Sequence, residues 1–372
     1  MSDSVTHLWV NEPGYEDDSI FLSCRIERID QPTLWLWYRV PQQYATSLNP
    51  RADAFVVGSL FTAMRIGHPL HVHGTVSASL LRNLEEFQGA WRCWRPSQYQ
   101  VVEVTADHES TDLLPRRDHA IFGFSGGVDS TFTLYRHTRQ LAGRRSRRLG
   151  AGLLVHGFDI PLAQTATFQT VKERMQRVLN EHDIECIPLV TNFQDMGDDW
   201  EDAFGVGLAS CLWLFAGGYG GGLIASGEPY HHLKLPWGSS PVTDHLLSAD
   251  DMPMIHDGAE YARIDKIAVI GAWEEARRHL RVCWEGPRPD ANCGVCEKCI
   301  RTMLCFRALD LGLPECFQEE VTDQQILALH GLSQGAVSKL AQIVTVARQR
   351  GVSASWMEAL ESVIHAHQKS YE

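Results

Sequence analysis

The residues best suited to binding or catalysis form a glycine loop, S-G-G-V-D-S over residues 125–130. The loop follows a short apolar segment, 119–124, and opens a stretch with helical periodicity. Two adjacent glycines let backbone N–H groups approach a phosphate closely, and a helix N-terminus adds positive potential. Ser125 and Ser130 supply hydroxyl groups, whereas the carboxylate of Asp129 repels phosphate unless it orients a Mg²⁺ ion or caps the helix. The loop therefore predicts a phosphate site.

A second cluster consists of four of the ten cysteines, with the spacing C-x9-C-x2-C-x2-C: Cys283, Cys293, Cys296 and Cys299. Four thiolates complete a tetrahedral Zn²⁺ site and leave no open position, which predicts a structural zinc ion. An iron–sulfur cluster also takes four cysteines, and free buried cysteines are the third alternative. Residues 1–17 show no secretory signal, so the cluster favours a metal site over disulfide bonds.

Composition restricts the classes of partner. Among 372 residues there are 33 Lys and Arg against 46 Asp and Glu, a net charge of −13, and this acidity disfavours a nucleic-acid substrate. One basic run, 136–148, is interpreted as a solvated helix end and turn. The uncharged segment 203–227 contains eight glycines, which favours a buried helix, turn and strand over a membrane span. The expected protein is cytoplasmic, with no membrane partner.

The elements that must position these residues alternate between apolar strands and amphipathic helices. Strands are predicted at 119–124, 153–156, 184–190 and 223–226. Such an order predicts an α/β fold with a parallel sheet covered on both faces, and ligands on these sheets bind at the carboxyl ends of the strands. The long loop at 227–251 is a further candidate for function, because loops of that length in compact domains usually are.

Two regions flank this α/β unit, and three domains are predicted. Residues 1–115 are interpreted as an α+β binding or docking domain without evident chemistry, including a hairpin at 19–38 and a closing strand at 99–104. Residues 116–310 carry the glycine loop and the cysteines. Residues 311–372 have helical periodicity and are expected to form a C-terminal helical appendage.

The two motifs together resemble the 7-cyano-7-deazaguanine synthases, a family of PP-loop ATP pyrophosphatases. That family shows S-G-G-x-D-S after its first strand and C-G-x-C-x-x-C near the end of the same domain, as 293–299 does here. The segment 264–267, I-D-K-I, resembles one that carries a lysine near the active site. The resemblance covers about 118–310 and implies a Rossmann-like, adenine nucleotide hydrolase-like domain with a zinc knuckle.

The resemblance also implies an activity and cofactors. ATP, with Mg²⁺, would adenylate the carboxylate of 7-carboxy-7-deazaguanine and release pyrophosphate. Ammonia would then give an amide, and a second adenylation would dehydrate it to the nitrile. The extra N-terminal region resembles extended family members from bacterial antiphage operons, including cyclic-oligonucleotide signalling (CBASS) systems. Those members imply a protein amine as acceptor, bound through the N-terminal domain, and the family implies a homodimer.

Residue roles follow from the resemblance position by position. The residues expected to bind ATP are Ser125, Gly126, Gly127, Val128, Asp129, Ser130, His156, Gly157 and Asp159. The expected catalytic residues are Ser125, Asp129, Ser130 and Lys266. The expected substrate contacts, from the long loop, are Glu228, Asp244 and His245. Lys266 could instead form a surface ion pair, and Asp159 could instead cap a loop.

Three other functions stay open. A housekeeping 7-cyano-7-deazaguanine synthase of queuosine biosynthesis would not need the N-terminal region. A tRNA-thiolating PP-loop enzyme would need a basic surface and a catalytic cysteine pair, and the net charge of −13 and the use of the clustered cysteines in one knuckle argue against it. A non-catalytic nucleotide sensor is disfavoured by the intact Asp129 and Ser130.

Overall fold

A computed structural model describes residues 5–28, 31–283, 286, 288 and 290–368 of the chain. Within these residues the strands form one mostly parallel, 11-stranded sheet in the order β11-β10-β7-β8-β9-β4-β3-β1-β5-β6, with β2 paired to β3. The strands are β1 Thr6–Val10, β2 Gly14–Glu16, β3 Ser19–Glu27, β4 Leu34–Pro41, β5 Leu70–Ser77, β6 Val104–Ser110, β7 His119–Gly123, β8 Arg148–His156, β9 Glu185–Thr191, β10 Gly222–Ala225 and β11 Met254–Asp257.

Helices pack on the sheet, and further helices follow its last strand in the chain. They are α1 Asp53–Ile66, α2 Ala78–Trp94, α3 Val128–Thr138, α4 Thr165–Asn180, α5 Trp200–Trp213, α6 Arg263–Ile270, α7 Glu274–His279, α8 Glu297–Ala308, α9 Asp323–Leu327, α10 Gln334–Gln349 and α11 Ser355–Gln368. The uncharged segment 203–227 spans helix α5, a glycine turn and strand β10, as predicted. Among the described residues no helix combines the length and the apolar character needed to cross a membrane.

The central part, β7 to β11, is the predicted parallel sheet. Strand β7 pairs in parallel with β8 on one side and with β10 on the other. Successive residues of β7 belong to separate apolar cores: Ile121 packs in the cluster that includes α1 and α5, and Phe122 packs in the cluster that includes α4. The α/β prediction is therefore confirmed, with one addition, because β11 was not predicted and extends the sheet beyond β10.

The N-terminal strands continue this sheet. Strand β4 pairs antiparallel with β9, with Tyr38 opposite Thr191, and the hydroxyl of Tyr38 donates to Ser210 Oγ of α5 at 3.0 Å. One apolar cluster contains residues from α1, α2 and α5. The domain division at residue 115 stays a prediction, and it has to accommodate a shared sheet and core. The closing strand expected at 99–104 is wrong: β6 begins at Val104, and Tyr99 is buried with its hydroxyl 3.3 Å from Asp202.

The C-terminal helices also share a core with the preceding region. Residues of α10 and α11, such as Leu340 and Leu360, pack in one cluster with Ile267 of α6 and Phe306 of α8. All four side chains are fully buried. In the predicted appendage, α10 therefore packs against α6 and α8. Side chains of α10 can thus lie close to residues of those two helices.

The basic run 136–148 is only partly the solvated turn that was predicted. Arg136 on α3 is 2% exposed, its Nη2 donates to Glu260 at 2.7 Å, and its Nη1 lies 3.5 Å from Asp257 at the end of β11. Thr133 Oγ1 also donates to Asp257, at 2.8 Å. These polar contacts attach α3 to β11, so Arg136 has a structural role in positioning the helix that follows the glycine loop.

Candidate functional site

The glycine loop joins β7 to α3 in a tight turn. Gly126 has φ +77°, which strains most other residues, and a Cβ there would lie 2.5 Å from the sulfur of Met175, so Met175 would have to shift. Ser130 Oγ donates to the carbonyl of Gly127 at 3.2 Å, and the hydroxyls of Ser125 and Ser130 lie 3.5 Å apart. Both predicted hydroxyls therefore sit at the turn, beside the first N–H groups of α3.

The loop lies at a point where the order of strands reverses. From β7 the chain proceeds through β8 to β9 on one side of the sheet, and then places β10 and β11 on the other side. The crevice at the carboxyl ends of the strands at such a switch point is the usual ligand site of an open parallel sheet. The predicted loop thus occupies the expected position, 125–127, directly after β7.

Asp129, in the first turn of α3, is held between two cations of α6. Its Oδ2 accepts from Arg263 Nη2 at 2.7 Å, and its Oδ1 accepts from Lys266 Nζ at 2.8 Å. Lys266 also donates to the carbonyl of Ser226, which directly follows β10. Lys266 is 1% exposed, so the surface ion pair considered for it does not describe its position. The lysine instead links the loop, α6 and the end of β10.

The charge state of Asp129 follows from these partners. Burial alone would raise the pKa of the Asp129 carboxyl, but the positive charges of Arg263 and Lys266 outweigh it and hold that pKa well below its usual range. The carboxylate is therefore ionised at neutral pH. Asp129 is the acidic residue in the first turn of α3, and its two carboxylate oxygens face the two cations of α6.

Two further cations lie close to this pair. Arg301 on α8 is 5% exposed and contacts Glu297 at 3.1 Å, and Lys339 on α10 donates to the carboxylate of Glu228. Burial, and then the charge of Arg301, lower the pKa of Lys339. Burial, and then the charge of Arg263, lower the pKa of Arg301. Helices α6, α8 and α10 contact one another, which brings their cations into one region.

Sequence reasoning missed three of these cations. Arg263 precedes the segment 264–267 by one position, and Arg301 follows the last clustered cysteine by two, so both adjoin motifs that were recognised. Lys339 carried no such signal, because it belongs to a helix of the predicted appendage. Glu228, predicted to contact substrate, lies in this region as the partner of Lys339.

The predicted ATP-binding residues at the end of β8 contact other parts of the protein. His156 is 3% exposed, its ring stacks on Phe168 with 4.4 Å between centroids, and its Nε2 lies 2.9 Å from the carbonyl of Pro161. Burial lowers the pKa of His156. Gly157 has φ +104°, and its position leaves no space for a Cβ. Asp159 Oδ2 lies 3.7 Å from Arg281 Nη1. Of these predicted ATP contacts, Asp159 is the partly exposed one.

The other two residues predicted from the long loop differ in environment. Asp244 is fully buried and accepts from Ser239 Oγ at 2.7 Å and from the backbone N–H of Ser240 at 2.9 Å, and it faces His256 Nδ1 at 2.7 Å. These contacts give it a structural role in shaping the loop, and its predicted substrate contact stays a prediction. His245 is exposed. The loop 227–251 is thus folded around Asp244.

The four clustered cysteines converge as predicted. Their sulfur atoms all lie within 4.8 Å of one another, with Cys283 and Cys296 at 3.7 Å and Cys293 and Cys299 at 3.8 Å. Tetrahedral coordination with Zn–S bonds of about 2.3 Å requires sulfur atoms about 3.8 Å apart. The group could therefore hold one metal ion such as zinc, whereas a cubane cluster would need its thiolates farther apart. Cys305 is buried outside the group, in the core.

The cysteine group adjoins the glycine loop through Arg281. The backbone N–H of Arg281 donates to the carbonyl of Gly126 at 2.8 Å, and Arg281 precedes Cys283 by two residues. The Arg281 side chain is 4% exposed and faces Asp159. Burial lowers the pKa of Arg281, and the charge of Asp159 opposes this effect. A metal bound by the cysteines would fix the segment that supports the loop.

The assembled features favour an anionic ligand. The N-terminus of α3 carries positive potential, and the four cationic side chains come from three helices: Arg263, Lys266, Arg301 and Lys339. Three carboxylates balance part of this charge, those of Asp129, Glu228 and Glu297. The cations of such ion pairs can bind phosphate oxygens in place of the protein carboxylates, and the carboxylates can then bind a metal ion.

Comparison of the chain with family models, with curated proteins and with solved structures finds no match in any of the three.

Proposed function

We propose that this protein binds ATP with Mg²⁺ at the glycine loop and splits it into AMP and pyrophosphate while activating a carboxylate. The observation that carries the proposal is the position of Asp129, between Arg263 and Lys266, in the first turn of the helix that follows a Gly-Gly turn at the strand-order switch. A simple strand–helix turn needs no such pair of cations. A site for a polyphosphate does.

Roles for the side chains follow from this geometry. The N–H groups after Gly126 and the hydroxyls of Ser125 and Ser130 would bind phosphate oxygens. A Mg²⁺ ion arriving with ATP would neutralise phosphate charge, and Asp129 offers the carboxylate oxygens that Mg²⁺ prefers. Displaced from Asp129, Arg263 and Lys266 would then stabilise the negative charge that grows on the departing pyrophosphate.

The reaction needs a carboxylate as nucleophile. Its oxygen attacks the α-phosphorus of ATP, the bond from that phosphorus to the bridging oxygen breaks, and the electron pair leaves with pyrophosphate. The amine nitrogen then bonds to the carboxyl carbon, the bond from that carbon to the AMP oxygen breaks, AMP leaves with the electron pair, and the amine loses a proton to solvent. The protein's contribution is to position the two reactants and to neutralise charge. This makes the enzyme a C–N bond-forming ligase.

The substrate we propose is 7-carboxy-7-deazaguanine or a close analogue. Support comes from the combination of the glycine loop with the C-G-x-C-x-x-C knuckle, joined here through Arg281 and Gly126. We further propose a protein amine as acceptor, as in antiphage conjugation, because the N-terminal region adds strands and helices that carboxylate activation does not require. Ammonia as acceptor, giving the free nitrile, is the alternative of a housekeeping synthase.

The test is a pyrophosphate-release assay with Mg-ATP and 7-carboxy-7-deazaguanine, with and without ammonium, and with mass spectrometry of the products. A Lys266→Met variant and an exposed-charge control, Glu361→Gln on α11, are assayed in parallel. We expect pyrophosphate release by the wild type and the control and a loss of at least about 100-fold for Lys266→Met, typical for removal of one transition-state contact.

The products separate the alternatives. A free nitrile with ammonium identifies a housekeeping synthase. Pyrophosphate release that stops at the adenylate or amide supports another acceptor, which would then be sought as added mass on a co-purifying protein. ATP binding without pyrophosphate release would indicate a nucleotide sensor, and release that begins only when tRNA is added to the assay would indicate a tRNA-modifying enzyme. Either of the last two results contradicts the proposal.

A further inference from the structure

A second group of metal-ligating side chains lies on the N-terminal strands, far along the sheet from the glycine loop. His71 and His73 are alternate residues of β5, and Asp107 lies on the neighbouring strand β6. The residue between the two histidines, Val72, is fully buried in the core under α1 and α2. Because side chains alternate along a strand, the histidines point to the opposite face, away from those helices.

The atoms of this group converge. His71 Nε2 lies 3.0 Å from Asp107 Oδ1, and His73 Nδ1 lies 3.5 Å from the same oxygen. One ligand atom from each of the three residues falls within a span of 4.8 Å. Bonds of about 2.0–2.2 Å to a tetrahedral ion place nitrogen and oxygen ligands about 3.3–3.6 Å apart, close to the distances found here.

The second ring nitrogen of each histidine has a hydrogen-bond partner of its own. His71 Nδ1 lies 2.9 Å from Thr105 Oγ1, and His73 Nε2 lies 3.0 Å from His7 Nδ1. The ring of Trp9 stacks on His73 with 3.4 Å between centroids and 7° between planes. Partners of this kind fix the orientation of an imidazole and direct its other nitrogen towards a metal.

The strand itself is shaped at this point. The pairing of β5 with β6 shifts register between Val72 and Thr75, around Gly74, which has φ +152°. Such bulges redirect side chains and are frequent beside functional sites. The contact between His71 Nε2 and Asp107 Oδ1 at 3.0 Å orients the carboxylate beside this bulge.

We propose that His71, His73 and Asp107 bind a divalent transition metal ion of the zinc type, in a site separate from the cysteine group. Two imidazoles and one carboxylate suit Zn²⁺ and its first-row neighbours. The side chains are 29%, 21% and 52% exposed, so the protein fills three positions and the ion keeps at least one position towards solvent. The site does not depend on the proposed ATP chemistry.

The test measures metal content and spectra of the full-length protein. Protein with zinc in the cysteine site is freed of weakly bound metal and titrated with Co²⁺, and bound cobalt and zinc are determined by elemental analysis. We expect one equivalent of Co²⁺ with weak visible bands and without the intense sulfur-to-cobalt absorption that exchange into the cysteine site would produce. Zinc content should stay constant.

Variants test whether the one equivalent of Co²⁺ is bound by His71, His73 and Asp107. His71→Ala/His73→Ala should abolish Co²⁺ binding, and Asp107→Asn should weaken it at least about tenfold. His108→Ala, the exposed neighbour on β6, is the matched control and should bind like the wild type. Wild-type protein that takes up no second metal, or a double variant that binds as well as the wild type, would refute the site and leave a hydrogen-bonded surface cluster. The wild-type titration decides even if the double variant fails to fold.

Discussion

Asp129 Oδ1 lies 2.8 Å from Lys266 Nζ, and this contact joins the helix after the glycine loop to α6 and, through Ser226, to the end of β10. The lysine is almost completely buried, whereas the carboxylate is 18% exposed. An ammonium group in such surroundings needs its counter-ion. The same ion pair is therefore expected to contribute to folding stability and to activity. The two contributions can be measured separately.

Replacing Asp129 with Asn should destabilise the protein by about 3 kcal/mol, because loss of one partner leaves a buried charge without compensation. The same variant should lose pyrophosphate release. Urea unfolding at pH 7 measures the first effect, and the assay described above measures the second. Glu361→Gln, which breaks the exposed pair with Arg348, should change neither by much.

The stability effect of Asp129→Asn should depend on pH. The folded-state pKa of Asp129 is depressed, so its stabilisation is present above the unfolded-state value of about 4 and is lost as the pH falls below it. The difference between wild type and variant in the free energy of unfolding should thus be largest near neutral pH and shrink between about pH 4 and pH 2. A difference that stays constant over this range would show that the ion pair is not its cause.

Lys339→Met tests whether the C-terminal helices contribute to the anion site. The loss of one charge-assisted contact, about 1.5–3 kcal/mol, corresponds to a decrease in kcat/KM for ATP of roughly 10- to 100-fold. Arg348→Gln lies on the same helix and pairs only with the exposed Glu361 among the contacts described for its side chain, so it serves as the matched control.

A purely structural role of Lys339 is distinguished by a double variant. Lys339→Met alone leaves Glu228 without its partner, and the added substitution Glu228→Gln removes that carboxylate. The double variant should regain thermal stability but not activity if Lys339 contacts the phosphates. Recovery of both would assign the lysine to folding alone.

Much of the α/β fold could be predicted because strands buried on both faces leave apolar runs, as at His119–Gly123 and Glu185–Thr191. Strand β11 was missed since its last residues, His256 and Asp257, are polar and serve internal networks. The pairing of β4 with β9 could not be predicted either, because segments distant in sequence pair only in the folded protein and show no local sequence pattern.

The residues of the candidate site likewise fall into a part that the sequence predicts and a part that it does not. The glycine loop and the cysteines were found by spacing, because turn geometry and metal coordination each impose a short pattern. Arg301 and Lys339 come from separate helices and meet only after folding. The alternation of His71 and His73 with Leu70 and Val72 did carry a signal for one shared face of a strand. The sequence does not bring Asp107 beside the two histidines, because it predicts the closing strand at 99–104 and β6 is Val104–Ser110.

Cys296→Ser should remove the metal from the cysteine group and lower the thermal unfolding temperature. It should also reduce ATP turnover, because Cys283 lies two residues from Arg281, whose backbone supports Gly126. Elemental analysis is expected to find zinc in the wild type and its loss in the variant. Cys93→Ser, at an exposed cysteine outside the group, should retain both metal and activity.

One outcome would contradict this connection between metal and loop, and another would contradict the assignment of the metal. Normal pyrophosphate release by metal-free Cys296→Ser protein would show that the loop holds its shape without the knuckle. Iron together with acid-labile sulfide in place of zinc would overturn the assignment of a single structural ion. Cys305→Ala should keep the metal in either case, since its sulfur lies outside the group.

Gly157→Ala tests whether the turn after β8 is fixed by its backbone. At this position φ is +104°, and a Cβ would lie 2.0 Å from the carbonyl oxygen of Thr191, so we expect a loss of about 3 kcal/mol or more in the free energy of unfolding. Gly143→Ala has φ +56° and no heavy atom within 4 Å of the new Cβ, so its loss should be about 1 kcal/mol, from backbone strain alone. Urea unfolding of both variants isolates the clash with β9. Equal losses would mean that the turn yields, and the placement of Asp159 beside Arg281 would then need another support.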